Sequence, residues 1–375
     1  MDSTPKLWGI FVGGLQLRNI LENGLVSIII PCYNGAPYIT RMLNSICLQT
    51  YRRIQLIFVN DGSQDETENI FNSYKIEFTR IGIRYIYLYQ ENQGQAEAIN
   101  KALLYIRGEY LMWLDADDYI STDHIERKVN CLKKAKNCDI VRCRGIIIDE
   151  MDNYSIKGYL GKEHAVGTLF EDLLFELREC SNGLYMVRTE EFFKALPNQK
   201  LYSSKAGQNY QLLLPITYLY RVYYIKDILF HYIERRESHS HNFGSINDWG
   251  KRLDEIYDVK LHVLDEMKHM ISDEYLNFIE SQLNLLQLFQ RVNRIIDFNY
   301  EVTDNVYIRE TMLKLEKYMK QRNKIWIWGS CKKNKRLAMY LNKYLSINIG
   351  GFIDSDVKKQ KYKDTIKPEE IDASQ

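Results

Sequence analysis

The stretch EYLMWLDADDY, residues 109–119, is almost wholly apolar until it ends in Asp115, Asp117 and Asp118. Unpaired charge is costly to bury, so the run reads as a buried strand that surfaces at its carboxyl end with three like charges at its mouth. Working outward, the same grammar recurs. LVSIII (25–30) is stopped by PCYNG, IQLIFVN (54–60) by DGSQD, and IRYIYLY (83–89) by QENQGQ. Each is a β-branched or aromatic run closed by turn-forming residues. DIVRCRGIII (139–148) reads as a further strand.

Helical periodicity fills the gaps. Ile39, Leu43, Ile46 and Cys47 share one face, Asp65–Thr67 open a second helix, and Ala96, Ile99, Leu103 and Ile106 mark a third with Gly108 suited to its C′ position. Ser121 is placed to cap a helix carrying Ile125, Val129 and Leu132. Strands alternating with helices predict an α/β fold with a mainly parallel sheet, in which ligands bind beyond the carboxyl ends of the strands. Four polar segments distant in sequence should therefore meet on one edge.

The rest of the chain divides by pattern. Residues 1–24 read as an N-terminal extension and 25–245 as the α/β domain, with a helix expected to stop near Pro215. Residues 246–322 read as amphipathic helices, and 323–375 as a small βαβ module (KIWIWGS, a basic helix, then IGGFIDSD). Composition is that of an ordinary globular protein, 45% hydrophobic and 26% charged. A formal net charge of +1 argues against a nucleic-acid binder. No apolar run is long enough to span a bilayer and the N-terminus makes a poor signal peptide, which together predict a cytoplasmic protein. Seven scattered Cys with no CxxC pair fit reduced thiols.

The chemistry concentrates at the strand ends. Carboxylates one residue apart suit a hard cation shared with substrate phosphates, Mg²⁺ or Mn²⁺. The chain has no GxxxxGK[ST], and no GxGxxG follows its first strand, which disfavours a P-loop NTPase or a dehydrogenase. A nucleotide would instead be held by edge contacts: Tyr33 stacking on the base, Asp61 accepting from its imide, and Asn92 and Gln95 bonding its edge or the ribose.

In order, P-x-Y-N, Q-T-Y, V-N-D-G-S, N-x-G and D-x-D-D over residues 25–125 resemble the N-terminal half of family 2 glycosyltransferases of the GT-A fold. The resemblance implies that Pro31, Cys32, Tyr33 and Asn34 line the nucleotide pocket with Asp61, Asn92, Gly94 and Gln95. It implies that Asp115 and Ala116 meet the sugar nucleotide, and that Asp117, with Asp115, binds Mn²⁺ or Mg²⁺. His239, or next to it His241, would complete the metal shell, and Arg235 or Arg236 would clamp phosphate.

The implied reaction moves a sugar, with inversion, from a UDP-sugar to a saccharide or lipid-linked acceptor in cell-surface polysaccharide synthesis. The family's catalytic base comes from a Glu-Asp pair where this chain has Gln208 and Asn209, neither of which can take a proton. Glu171, Asp172 and Glu179 are the nearest alternative bases, although Glu171 and Asp172 also fit a helix's first turn. The basic residues Lys332, Lys333, Lys335 and Arg336 suggest peripheral contact with anionic lipid at the inner face of the plasma membrane. The last module resembles small Rossmann-like units appended to bacterial polysaccharide enzymes. Two other readings stay open: a nucleotidyltransferase, and a non-catalytic sugar-nucleotide-binding subunit.

Overall fold

The computed structural model of the chain describes residues 21–135, 138–163, 168–204, 206–235, 245–297, 306–319, 325–328, 349–353 and 365–366. The element order is β1 (Glu22–Cys32), α1 (Ile39–Cys47), β2 (Ile54–Asp61), α2 (Thr67–Ser73), α3 (Lys75–Arg80), β3 (Arg84–Gln90), α4 (Gln95–Leu103), β4 (Gly108–Trp113), β5 (Tyr119–Ile120) and α5 (His124–Lys134). Then come β6 (Ile140–Asp149), β7 (Ser155–Leu160), α6 (Leu169–Leu174), β8 (Tyr185–Arg188), α7 (Thr189–Ala195), α8 (Gln208–Leu219) and β9 (Val222–Glu234). Helices α9 (Ile246–Met267), α10 (Asp273–Asp297) and α11 (Val306–Met319) precede three short strands, β10 (Ile325–Trp328), β11 (Ile349–Ile353) and β12 (Thr365–Ile366).

Among the described residues, nine strands form one sheet in the order β3-β2-β1-β4-β8-β6-β9-β5, with β7 added on β6. Its first four strands are mutually parallel. β8 then enters antiparallel between β4 and β6, and β6 pairs in parallel with β9. β3 at the edge is half-exposed, whereas the inner strands β1 and β2 are buried along their apolar runs, with Val26, Ile28, Ile29 and Ile30 of β1 and Leu56 to Val59 of β2 at 1% exposure or less. Each such side chain contributes roughly 1.5–3 kcal/mol on leaving water. That burial explains continuous apolar runs in place of alternation.

One polar residue interrupts β1. Ser27 Oγ donates to Gln55 Oε1 at 2.6 Å and accepts from Gly108 N at 2.8 Å. Gly108 is therefore not the C′ residue the periodicity suggested. α4 ends at Leu103, and Gly108 begins β4, where a Cβ would fall 2.5 Å from Ser27 N. Its role is close strand approach.

Two further expectations are corrected. α5 starts at His124, past Ser121, whose carbonyl rather than its hydroxyl receives the His124 N–H at 3.1 Å. α8 runs through Pro215 to Leu219. A proline inside a helix costs on the order of 3 kcal/mol. Here Leu212, Leu213, Leu214 and Ile216 around it are all buried, and burial of that order offsets the cost.

The chain forms two compact units. The first comprises residues 1–242 and 258–276 and holds the nine-stranded sheet; the second comprises 243–257 and 277–375. In the second, Asp254 accepts from Arg291 and from Gln287 Nε2, and the Tyr307 ring covers Gly250. β10, β11 and β12 pair in parallel. The helix expected between β10 and β11, with Lys332, Lys333, Lys335 and Arg336, lies outside the described residues. No described helix is long and apolar enough to cross a membrane.

Candidate functional site

The carboxyl ends of β1, β2, β3 and β4 meet as predicted, and they are tied to one another. Gly62 follows β2 at φ +76°, and a Cβ there would lie 2.7 Å from Asn92 N, so the β2 and β3 loops touch backbone to backbone. Asn60 Oδ1 accepts from Ser63 N at 2.8 Å, closing that turn. Asn34, itself at φ +49°, donates its N–H to Ser63 Oγ and accepts from Gln64 N, each at 2.9 Å. Gly35 N donates to Thr67 Oγ1 and Ala36 N to Asp65 Oδ2. Burial works against ionisation of Asp65, but the Thr67 and Ala36 hydrogen bonds prevail and hold its carboxyl below the usual range. Tyr33 is 42% exposed at this mouth, whereas Cys32 is buried, its thiol pushed up to about 12 by burial and then by the charges of Asp65 and Asp117.

Asp61 also holds the neighbouring loop. It is buried, and it accepts from Gln90 Nε2 at 2.8 Å and from the N–H groups of Gln93 and Gly94 at 2.9 Å each. A carboxylate has about four acceptor sites, so three are spent on holding the loop that starts α4 and one remains for a ligand. Gly94, at φ +90°, turns that loop into the helix.

The three carboxylates of the DADD segment divide cleanly. Asp115 Oδ1 accepts from Gln95 Nε2 at 2.7 Å, and Asn182 Nδ2 reaches both its oxygens at 3.1 and 3.2 Å. Burial and the neighbouring Asp117 charge push Asp115 up to about 6, against those two hydrogen bonds. Asp117 Oδ2 receives Arg235 Nε at 3.0 Å and Nη2 at 2.5 Å. Arg41 Nη2 donates to the Asp117 carbonyl at 2.8 Å. Ala116 is buried between them. Asp118 turns inward, 1% exposed, with Oδ1 accepting from Ile233 N at 2.9 Å, and it anchors the segment to β9.

The substituted base position is part of the same network. Gln208 Nε2 donates to Gln95 Oε1 at 2.6 Å, so Gln208, Gln95, Asp115 and Asn182 form one chain that ends on Trp113, whose Nε1 donates to Asn182 Oδ1 at 2.7 Å. Asn209 Nδ2 instead donates to the Cys180 carbonyl at 2.9 Å.

The alternative bases have structural partners. Glu171 forms a capping box with Thr168 and accepts from Tyr275 Oη at 2.7 Å. Asp172 is fully buried. Glu179 accepts from Gly161 N and pairs with the buried Arg142. These contacts suit packing roles for all three. His239, His241 and Arg236 lie outside the described residues.

Among the described residues no group of three or more His, Cys, Asp or Glu converges as a metal shell. The Asp115–Asp117 pair nevertheless fits a hard divalent ion. Two carboxylates one residue apart are the donor chemistry such an ion takes, and one or two carboxylates plus substrate phosphates are the usual Mg²⁺ complement. Such an ion would supply charge neutralisation of a departing diphosphate.

Local sequence signals gave the strand-end loops but not Asn182, Arg41 or the Arg235–Asp117 pairing. Asn182 is 67 residues from Asp115 and Arg235 is 118 from Asp117, and neither carries a motif of its own.

Comparisons with known proteins place the chain among glycosyltransferases. Residues 27–188 match the family model described as glycosyl transferase family 2. An uncharacterized glycosyltransferase of Rickettsia prowazekii is 43% identical over 144 residues, 38% of this chain and 43% of its own length. Another, from Rickettsia conorii, is 33% identical over 261 residues, 67% of this chain and 41% of its own. The chain thus spans about two fifths of the length of these relatives. In fold it is similar to residues 1–349 of TarS from S. aureus, solved with UDP-GlcNAc, with a TM-score of 0.55 at 18% identity over 79% of this chain and 81% of that one.

Proposed function

Since the chain belongs, through residues 27–188, to glycosyl transferase family 2, we propose that it transfers a sugar from a nucleotide-sugar donor, a UDP-sugar by preference, to a saccharide or lipid-linked acceptor in bacterial polysaccharide synthesis. The observation that carries this reading is the Gln208–Gln95–Asp115–Asn182 chain beside Asp117. It orients Asp115, next to Asp117, at the carboxyl edge of the parallel strands, where a ribose and a diphosphate would come together.

In this reading Asn34, Asp61 and the Asn92–Gly94 loop hold the nucleoside, with Tyr33 offering its exposed ring to the base. Asp115, oriented by Gln95 and Asn182, meets the sugar nucleotide. Asp117 and Asp115 would hold Mg²⁺ or Mn²⁺, which neutralises the leaving diphosphate. An open groove of about 570 Å³ beside the Asp117 loop, lined by Tyr38, Arg41, Tyr119 and Tyr154 among others, offers ring faces and polar groups to a saccharide.

A donor screen by thermal stabilisation in the presence of Mn²⁺ tests the reading. A bound donor at about 100 times its Kd adds roughly 2.7 kcal/mol of stability. Failure of every UDP- and GDP-sugar to raise the melting temperature would overturn it. One observation favours a second reading, a sugar-nucleotide-binding subunit without turnover: the amide of Gln208, in place of the family's acid, is built into the Asp115 network. Donor binding without transfer to any acceptor in a broad panel would decide for it.

A further inference from the structure

We propose that Arg235 is an internal competitor for the metal, an intrinsic cation that occupies Asp117 and must leave it when a divalent ion binds. The inference rests on the donor-site reading above and goes beyond it by coupling metal uptake to the movement of one side chain.

The geometry is specific. Both contacts from Arg235, Nε at 3.0 Å and Nη2 at 2.5 Å, fall on one atom, Asp117 Oδ2. A divalent ion on that oxygen and a guanidinium in that place would put two cations in van der Waals contact, so the two are alternatives. The guanidinium is held from its other side by the Tyr38 ring, with Cζ 4.2 Å from the centroid. Arg235 is placed directly after the last residue of β9, Glu234, so its side chain can turn without breaking the sheet. Arg41, the other guanidinium nearby, behaves differently. It bonds the Asp117 carbonyl rather than its carboxylate, and need not move.

The exchange has a natural acceptor for the displaced group. A guanidinium fork released from a carboxylate is suited to phosphate oxygens. A nucleoside diphosphate would give Arg235 a new partner as the ion takes Asp117, so ion and diphosphate would favour one another's binding through Arg235. An ion without diphosphate would have to displace the guanidinium into solvent.

The test is Mn²⁺ affinity, read from the free-ion signal in electron paramagnetic resonance, with and without UDP. Arg235→Gln should bind Mn²⁺ alone about five-fold more tightly than the wild type, the scale of one partly exposed ion pair. UDP should then enhance Mn²⁺ affinity less in the variant than in the wild type. Arg235→Lys, which keeps charge but loses the fork, should fall between, and it guards against misfolding of the first variant. Arg41→Gln, which removes an equal charge that bonds the Asp117 carbonyl and not its carboxylate, should tighten Mn²⁺ binding less than Arg235→Gln does.

Unchanged or weaker Mn²⁺ binding by Arg235→Gln overturns the proposal. So does equal tightening by Arg41→Gln, which would show a general field effect. Absence of Mn²⁺ binding from every variant, with UDP still raising the melting temperature, overturns the competition while the donor site stands; if UDP gives no stabilisation either, the donor reading falls with it.

Discussion

Gln208 donates to Gln95, and Gln95 donates to Asp115, so two amides point the same way along a chain that ends on a carboxylate. A second carboxylate at position 208 would face the Gln95 carbonyl oxygen. If Gln95 turned to meet it, Asp115 would lose its 2.7 Å donor. Gln208→Glu should therefore lower stability by about 1–2 kcal/mol and weaken donor binding, despite restoring the family's acid. Chemical denaturation and donor titration check it; a more active and equally stable variant would show that the amide is not part of a directed network.

Asp117 and Asp118 are neighbours with separate fates. Asp117→Asn should abolish Mn²⁺-stimulated donor binding. Asp118→Ala should leave Ile233 N without its acceptor and cost about 1–3 kcal/mol, while Asp118→Asn, which keeps an oxygen there, should cost less. Melting curves and Mn²⁺ titrations on the three variants separate the roles.

Gly62→Ala should be damaging twice over. The backbone is at φ +76° and the new methyl would meet Asn92 N at 2.7 Å. A loss of about 2–4 kcal/mol is expected, together with weaker donor binding because the Asn92 loop must shift. Gly82→Ala, also at positive φ but with open space around it, should show only the backbone part.

Lys128 gives a pH signature beside the Asp115 network, through Gly183, the neighbour of Asn182. It is fully buried, donates to the Gly183 carbonyl at 3.0 Å, and burial pulls it down to about 8 from its ordinary 10.5, with Cys143 opposing. Because the folded pKa is depressed, folding releases a proton between those values. The stability this group contributes is fully present above about 10.5 and lost as pH falls through about 8. Relative to Lys128→Met, the wild type should gain on the order of 2–3 kcal/mol from pH 8 to 10.5 and stay flat below. Cys143 bonds Lys128 and its ionisation depends on that charge, so the two proteins are compared in a Cys143→Ala background.

The sequence was most readable where local chemistry decides structure. Buried parallel strands must be continuous apolar runs, and their polar ends must be loops, so the edge holding Asn34, Asp61, Gln95 and Asp115 could be located before any coordinates. It was least readable where residues distant in the chain decide. Pro215 looks like a helix stop because the cost of its missing N–H is local, whereas the burial offsetting it is tertiary. Gly108 looks like a cap until Ser27 is seen against it. The bracing role of Asp61 is hidden in the sequence because its partners Gln93 and Gly94 are 32 and 33 residues away. Glu171 and Asp172 had two sequence readings, and the Thr168 capping box and burial of Asp172 favour the packing one.

The loops after β1, β2 and β3 are bonded to one another, through Asn34 to Ser63 and Gln64 and through Asp61 to Gln93 and Gly94. Walls that already hold each other need little ordering when a guest arrives. The same bracing makes them a shared inheritance. In the proposed donor site, a substitution that reshapes one wall to suit another nucleobase strains the next, so a change of base preference should require paired replacements across two loops. Transplanting a single loop from a relative of different preference should yield a poorer protein before it yields a different one.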